Sequence, residues 1–139
     1  MVNLTRLFGK KHKATAYCPV CGKALSYDAS TCPNCAADIT KWNAAGFVDK
    51  LVAALKHPLA DIRMRAIIVL GNRREPRAAE PLLECALSHP TDVIEGLAIV
   101  DSLAKIREVT KSDAELKRLV VEHGARAVRE AAKRALGQT

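Results

Sequence analysis

The stretch Ile62-Arg-Met-Arg-Ala66-Ile-Ile-Val-Leu70-Gly71 decides the fold, because it returns without a gap as Val128-Arg-Glu-Ala-Ala132-Lys-Arg-Ala-Leu136-Gly137. In each copy, apolar or small residues at i, i+4 and i+8 form one stripe and Gly supplies a C-terminal stop, the pattern of an amphipathic helix with one buried side. The residues ahead of these helices repeat too. Leu55-Lys-His57-Pro58 returns as Leu87-Ser-His89-Pro90 and then as Val121-Glu-His123-Gly124, at offsets of 32 and 34 residues. Each mark ends one helix and opens another, and repetition at this period signals stacked helical hairpins. The first helices are Phe47 to Leu55, Pro76 to Leu87, and Ser112 to Val120, where Ser112 and Glu115 have capping-box spacing. The second helix of the middle unit, Val93 to Ile106, keeps its period through Val93, Leu97, Val100 and Ala104 but fits the repeat less well. Six helices in three antiparallel hairpins follow.

These units resemble HEAT-like repeats of the phycobilisome-lyase type, in which an Asp-Pro-x-Ala entry leads to Pro-Leu-Leu-x-x-Leu and then to Val-Arg-x-x-Ala-x-x-x-Leu-Gly. Glu75-Pro-Arg-Ala-Ala-Glu-Pro-Leu-Leu-Glu-Cys-Ala-Leu87, Ile62 to Gly71 and Val128 to Gly137 carry the resemblance, which covers residues 47 to 137. It implies a mainly α, three-hairpin HEAT-like α-solenoid that serves as a binding surface. It also implies a bend at Pro81, which stands inside the expected helix.

Composition agrees with helices. Of 139 residues, 49% are hydrophobic and 27% charged, so the chain is neither a disordered tail nor a membrane span. Alanine occurs 23 times and leucine 15, while all five aromatic residues, Phe8, Tyr17, Tyr27, Trp42 and Phe47, precede residue 48. Two kinds of structure therefore meet near residue 45. No apolar run like that of a signal peptide opens the chain, and a cytoplasmic location with no transmembrane segment is expected. The net charge of +7 suggests an acidic partner. It falls to +5 if four thiolates hold one divalent ion, which weakens the case for nucleic acid.

Cys18-Pro-Val-Cys21 and Cys32-Pro-Asn-Cys35 are the strongest chemical signal. Each tight turn aims two sulfurs at one point, and two such turns supply the four soft ligands of a tetrahedral Zn²⁺. About 25 residues cannot fold around so small a core, so metal binding and folding are expected as one event. Thioredoxin-like redox pairs need a βαβ context that is missing here, and disulfides do not suit a cytoplasmic chain. An iron site of the rubredoxin kind, to which Tyr17 and Tyr27-Asp28 are faintly similar, is the less favoured metal because the intervening loop is short. Residues 17 to 39 resemble the short zinc ribbons at the ends of many archaeal and bacterial proteins, with their repeated Cys-Pro-x-Cys-Gly. Ala36 departs from that pattern where Gly is usual, and a left-handed backbone would strain it, so the second turn is expected to differ from the first.

Other residues invite weaker readings. Cys85 is expected as a small buried core side chain. His57, His89 and His123 are expected to answer helix C-terminal dipoles, since equivalent positions in neighbouring repeats lie too far apart to share an ion. Arg63, Arg65, Arg73, Arg74 and Arg77, with Arg126, Arg129, Lys133 and Arg134, are the candidates for a phosphate-contacting face. Glu95 and Asp101 of the middle unit dilute it, and no aromatic side chain in the helical region offers a base a stacking surface.

The expected organisation is a flexible basic leader at 1–13, a zinc ribbon at 14–39, a linker at 40–46 and a repeat array at 47–139 (about 47–73, 76–106 and 112–138). One structural Zn²⁺ is held by Cys18, Cys21, Cys32 and Cys35, with no catalytic or other cofactor-binding residues. The expected function is a non-enzymatic adaptor whose helical surface binds a protein partner. The alternative is a nucleic-acid-binding accessory protein that uses the ribbon and the Arg-rich face. An edge at Leu116, Leu119 and Val120 is expected to support weak homodimerisation.

Overall fold

The computed structural model describes residues 15–138, so the leader expected at 1–13 lies outside the described residues. The chain divides into two compact units, Met1–Ala44 and Ala45–Thr139.

In the first unit, β1 (Thr15–Tyr17) pairs antiparallel with β2 (Ala24–Ser26), with Ala16 opposite Leu25. A single bridge joins Thr31 to Asp38, and the chain then enters α1 (Ile39–Ala44). Asp38 starts this helix, since its Oδ1 accepts from the Lys41 amide at 2.9 Å. Residues 40–44 are thus helical where a linker is expected. The core of this unit is Cys18, Leu25, Cys32 and Ile39. Two buried aliphatic side chains supply about 3–6 kcal/mol. Ordering some thirty residues opposes folding by about 1–2 kcal/mol each. Hydrophobic burial alone does not hold this unit together.

The second unit consists of three helical hairpins. The first joins α2 (Phe47–Ala54) to α3 (Ala60–Asn72), the second α4 (Ala79–Ser88) to α5 (Val93–Thr110), and the third α6 (Ala114–Glu122) to α7 (Arg126–Ala135). Helices α3, α5 and α7 pack in series as one layer, and α4 packs on α6 in the other. One continuous core runs through the three hairpins, with Ile67, Leu70, Leu82, Leu83, Ile99 and Leu119 fully buried. Helix α5 lies against α3, α4 and α7, which explains its weak one-sided pattern. Its buried residues include Glu95, Gly96, Ile99, Ser102, Leu103 and Ile106, while Leu97 of the expected stripe is exposed.

Several local expectations change. Gly71 does not stop α3, which runs one residue further. It is small because a Cβ there would collide with Ser102 of α5, whose hydroxyl donates to the Ile67 carbonyl at 2.9 Å. Gly137, at φ 74° after α7, does act as the stop. Pro81 sits in the first turn of α4, where its missing N–H costs no helix bond. The irregularity falls before it, as a 3-10 turn at Pro76–Ala78. Ser112 Oγ accepts from the Ala114 amide at 3.3 Å and lies 3.5 Å from Glu115 Oε2, so only part of the expected capping box forms. Leu116 and Leu119 belong to the core, because α6 turns them toward α4 and α7, so of the edge expected to support homodimerisation only Val120 is partly exposed.

Candidate metal centre

The two Cys-Pro-x-Cys turns have the same backbone hydrogen bonds. The Cys18 amide donates to the Lys23 carbonyl at 2.8 Å, and the Gly22 amide donates back to the Cys18 carbonyl at 2.9 Å. In the second turn Cys32 N reaches Ala37 O at 3.0 Å, and Ala36 N reaches Cys32 O at 2.9 Å. Gly22 has φ 76° and Ala36 has φ 62°. The second turn therefore does not differ from the first. Ala36 adopts the left-handed backbone despite its Cβ, because the geometry that aims two sulfurs inward requires it.

Each turn presents its two thiols to the other. Cys18 Sγ lies 3.7 Å from Cys35 Sγ, and Cys21 Sγ lies 3.7 Å from Cys32 Sγ. All four sulfurs are within 4.8 Å of one another. Tetrahedral ligands at about 2.3 Å from an ion are separated by about 3.8 Å, so this set fits one metal ion with no large rearrangement. The thiols also influence one another's protonation. The Lys23 amide first, then Asn34 and the neighbouring sulfurs, lower Cys21 to about 6. The Cys35 amide holds Cys32 below the ordinary thiol range. The Ala37 amide draws Cys35 down, but burial and the three other sulfurs together push it up to about 12. Four sulfurs this close disfavour ionisation of all of them at once, so a cation bound here would displace protons.

The residues expected to face phosphate are arranged differently. Arg63 is buried, with Nε donating to Glu95 Oε2 at 2.9 Å and a terminal nitrogen donating to the carbonyls of His57 and Pro58. Arg129 reaches the carbonyls of His123 and Gly124 in the same way. Both arginines therefore lock the loop that opens their own helix. Arg74 pairs with Glu108, Arg77 with Asp49 and Glu75, and Lys133 with Glu130, while Arg73 lies over the Phe47 ring. Arg65 is exposed.

Two of the three histidines do not serve chiefly as dipole partners. His57 and His123 are buried, and their Nδ1 atoms accept from the amides two residues on, Leu59 and Ala125, each at 3.1 Å. They shape the turn that precedes α3 and α7. His89, which caps α4, meets its helix end as expected, with Nδ1 2.9 Å from the Cys85 carbonyl, and the same nitrogen lies 2.9 Å from Glu95 Oε1. Sequence reasoning missed the role of Glu95. It stands six residues after His89, as Arg63 does after His57 and Arg129 after His123, so its carboxylate replaces a guanidinium at a buried repeat position.

Stacked helical hairpins with a shared core, preceded by a four-cysteine cluster, define a repeat scaffold carrying a candidate metal site. The family described as HEAT repeats matches residues 33–104, just over half of the 139-residue chain. The chain belongs to the HEAT-repeat family. No curated protein and no solved structure matches it.

Proposed function

We propose that the chain is a non-enzymatic, cytoplasmic adaptor in which one structural zinc folds the N-terminal ribbon and the HEAT array, similar to the phycobilisome-lyase type, binds a protein partner. The observation that carries this reading is the closed set of four sulfurs in a chain that also forms a helical scaffold. Four thiolates satisfy a tetrahedral zinc and leave no position for a reacting water. Iron accepts the same donors, but the short loop between the turns favours zinc. Cys85 gives no support for a nucleophile, because burial first and the Glu95 charge next push its thiol up to about 12. None of the described helices is long and apolar enough to cross a membrane.

The nucleic-acid reading loses ground because four of its eight arginines, Arg63, Arg74, Arg77 and Arg129, are engaged by carboxylates or carbonyls, while Arg65, Arg126 and Arg134 are exposed. Elemental analysis of the natively purified chain is expected to find zinc that is lost in Cys32→Ser, and iron or no metal would refute that assignment. Cross-linked partners from the source cells are expected to be protein. Recovery of nucleic acid, with an affinity whose log-log salt slope has a magnitude of about 0.7–0.9 per phosphate, would replace this reading with the alternative.

A further inference from the structure

Cys85, His89 and Glu95 form a second cluster, within the helical unit. Cys85 lies in the last turn of α4, His89 caps that helix, and Glu95 lies in the first turn of α5. Asp92 fixes that turn by accepting from the Glu95 amide at 2.9 Å. The two carboxylate oxygens have different partners. Oε2 is tied to Arg63, whereas Oε1 faces both Cys85 Sγ at 3.5 Å and His89 Nδ1 at 2.9 Å. The candidate ligand atoms of the three residues all lie within 4.8 Å of one another. Cys85 and Glu95 are buried, while His89 reaches a cleft of about 270 Å³ bounded in part by Leu55, Pro81 and Ser88.

We propose that Cys85, His89 and Glu95 constitute a second zinc site with three protein ligands and a fourth position open to this cleft. A thiolate, an imidazole and a carboxylate are a mixed set of soft, intermediate and hard donors. Zinc accepts all three, whereas magnesium and calcium require oxygen-rich shells. Arg63 acts as the outer support by holding the other oxygen of Glu95. The site also accounts for a carboxylate at a position where the other two repeats place arginine. Binding exchanges the thiol proton for a dication, which leaves one extra positive charge beside Arg63. A hydroxide or another small anion in the cleft completes the coordination and balances that charge.

Cobalt(II) titration of the full-length chain tests the site, because each cobalt-thiolate bond contributes charge-transfer absorption. Wild type is expected to take up two ions. The variant Cys18→Ser/Cys21→Ser/Cys32→Ser/Cys35→Ser is expected to keep one, with the absorption of one thiolate instead of the five of wild type. Adding His89→Gln to that variant should weaken binding by at least about tenfold. His89 is half-exposed, so its replacement should leave the far-UV helix signal unchanged. Adding Cys85→Ala instead should abolish the thiolate band. No ion bound by the four-serine variant, an ion without thiolate absorption, or an affinity indifferent to His89→Gln would each overturn the proposal. The results for the four-serine variant do not depend on whether the N-terminal cysteines hold zinc.

Discussion

Replacing Arg63 by Met removes the cation from a pair in which the side chains of Arg63 and Glu95 are 7% and 1% exposed. The methionine fills most of the space, so the main consequence is a buried carboxylate without its counter-charge. Breaking a buried pair from one side is destabilising by about 3–5 kcal/mol. The guanidinium bonds to the His57 and Pro58 carbonyls are lost as well, but these contributions overlap and the total stays near the upper end of that range. Arg129→Met provides an internal control. It removes the same kind of carbonyl contacts from a half-buried side chain with no buried carboxylate partner, and should lose about 1–2 kcal/mol. Urea titrations followed by far-UV circular dichroism, with EDTA present so that no ion compensates Glu95, compare the two. The double variant Arg63→Met/Glu95→Leu should recover much of the loss, because a buried pair replaced on both sides by apolar groups is often neutral. Equal losses for Arg63→Met and Arg129→Met, or a double variant less stable than Arg63→Met, would refute the reasoning.

Gly71→Ala should destabilise the array by about 1–3 kcal/mol, because the new Cβ overlaps Ser102 on α5, and the midpoint of chemical denaturation reads the change. Gly137→Ala meets no atom within 4 Å and loses only about 1 kcal/mol, from its left-handed backbone. In the N-terminal unit, Ala36→Gly should relieve the strain at φ 62° and raise its thermal midpoint with metal added, although the more flexible unfolded chain offsets part of about 1–2 kcal/mol. Burial lowers the pKa of His123 below 6.5 in the folded state, so above that value both states are neutral and stability is flat. As pH falls below about 6.5 the unfolded chain takes up a proton that the folded chain refuses, and stability should decline until pH reaches the folded pKa. His123→Asn should reduce that decline in pH-dependent denaturation. Cys32→Ser should unfold the N-terminal unit while sparing the helical signal, since the two units have separate cores. Loss of most of that signal would show that the cores are coupled.

Local pattern was sufficient for some features and not for others. The four metal-ligand candidates were legible because Cys-x-x-Cys spacing fixes two sulfurs within one turn, and only the meeting of two turns remained to be formed. The hairpins were legible because a core-facing stripe must recur at the helical period, as it does through Ala66 and Leu70 and again through Val128 and Ala132. What a side chain does at a helix crossing depends on the neighbouring helix, which no local pattern specifies. Gly71 reads as a stop until Ser102 is seen against it, and Leu116 reads as a free edge until α6 lies on α4 and α7. Arg63 and Glu95 read as solvated charges, yet docking α3 against α5 removes both from water, and each then requires the other. Aligning the repeats on their histidines places Glu95 in register with Arg63 and Arg129, a trace of this pairing that the sequence does contain. Sequence alone determined the repeat, its helices and the cysteine turns, because these depend on residues close along the chain. Only the tertiary structure decided the buried ion pair and the Cys85-His89-Glu95 cluster, because both depend on which groups lose their water when separate helices meet.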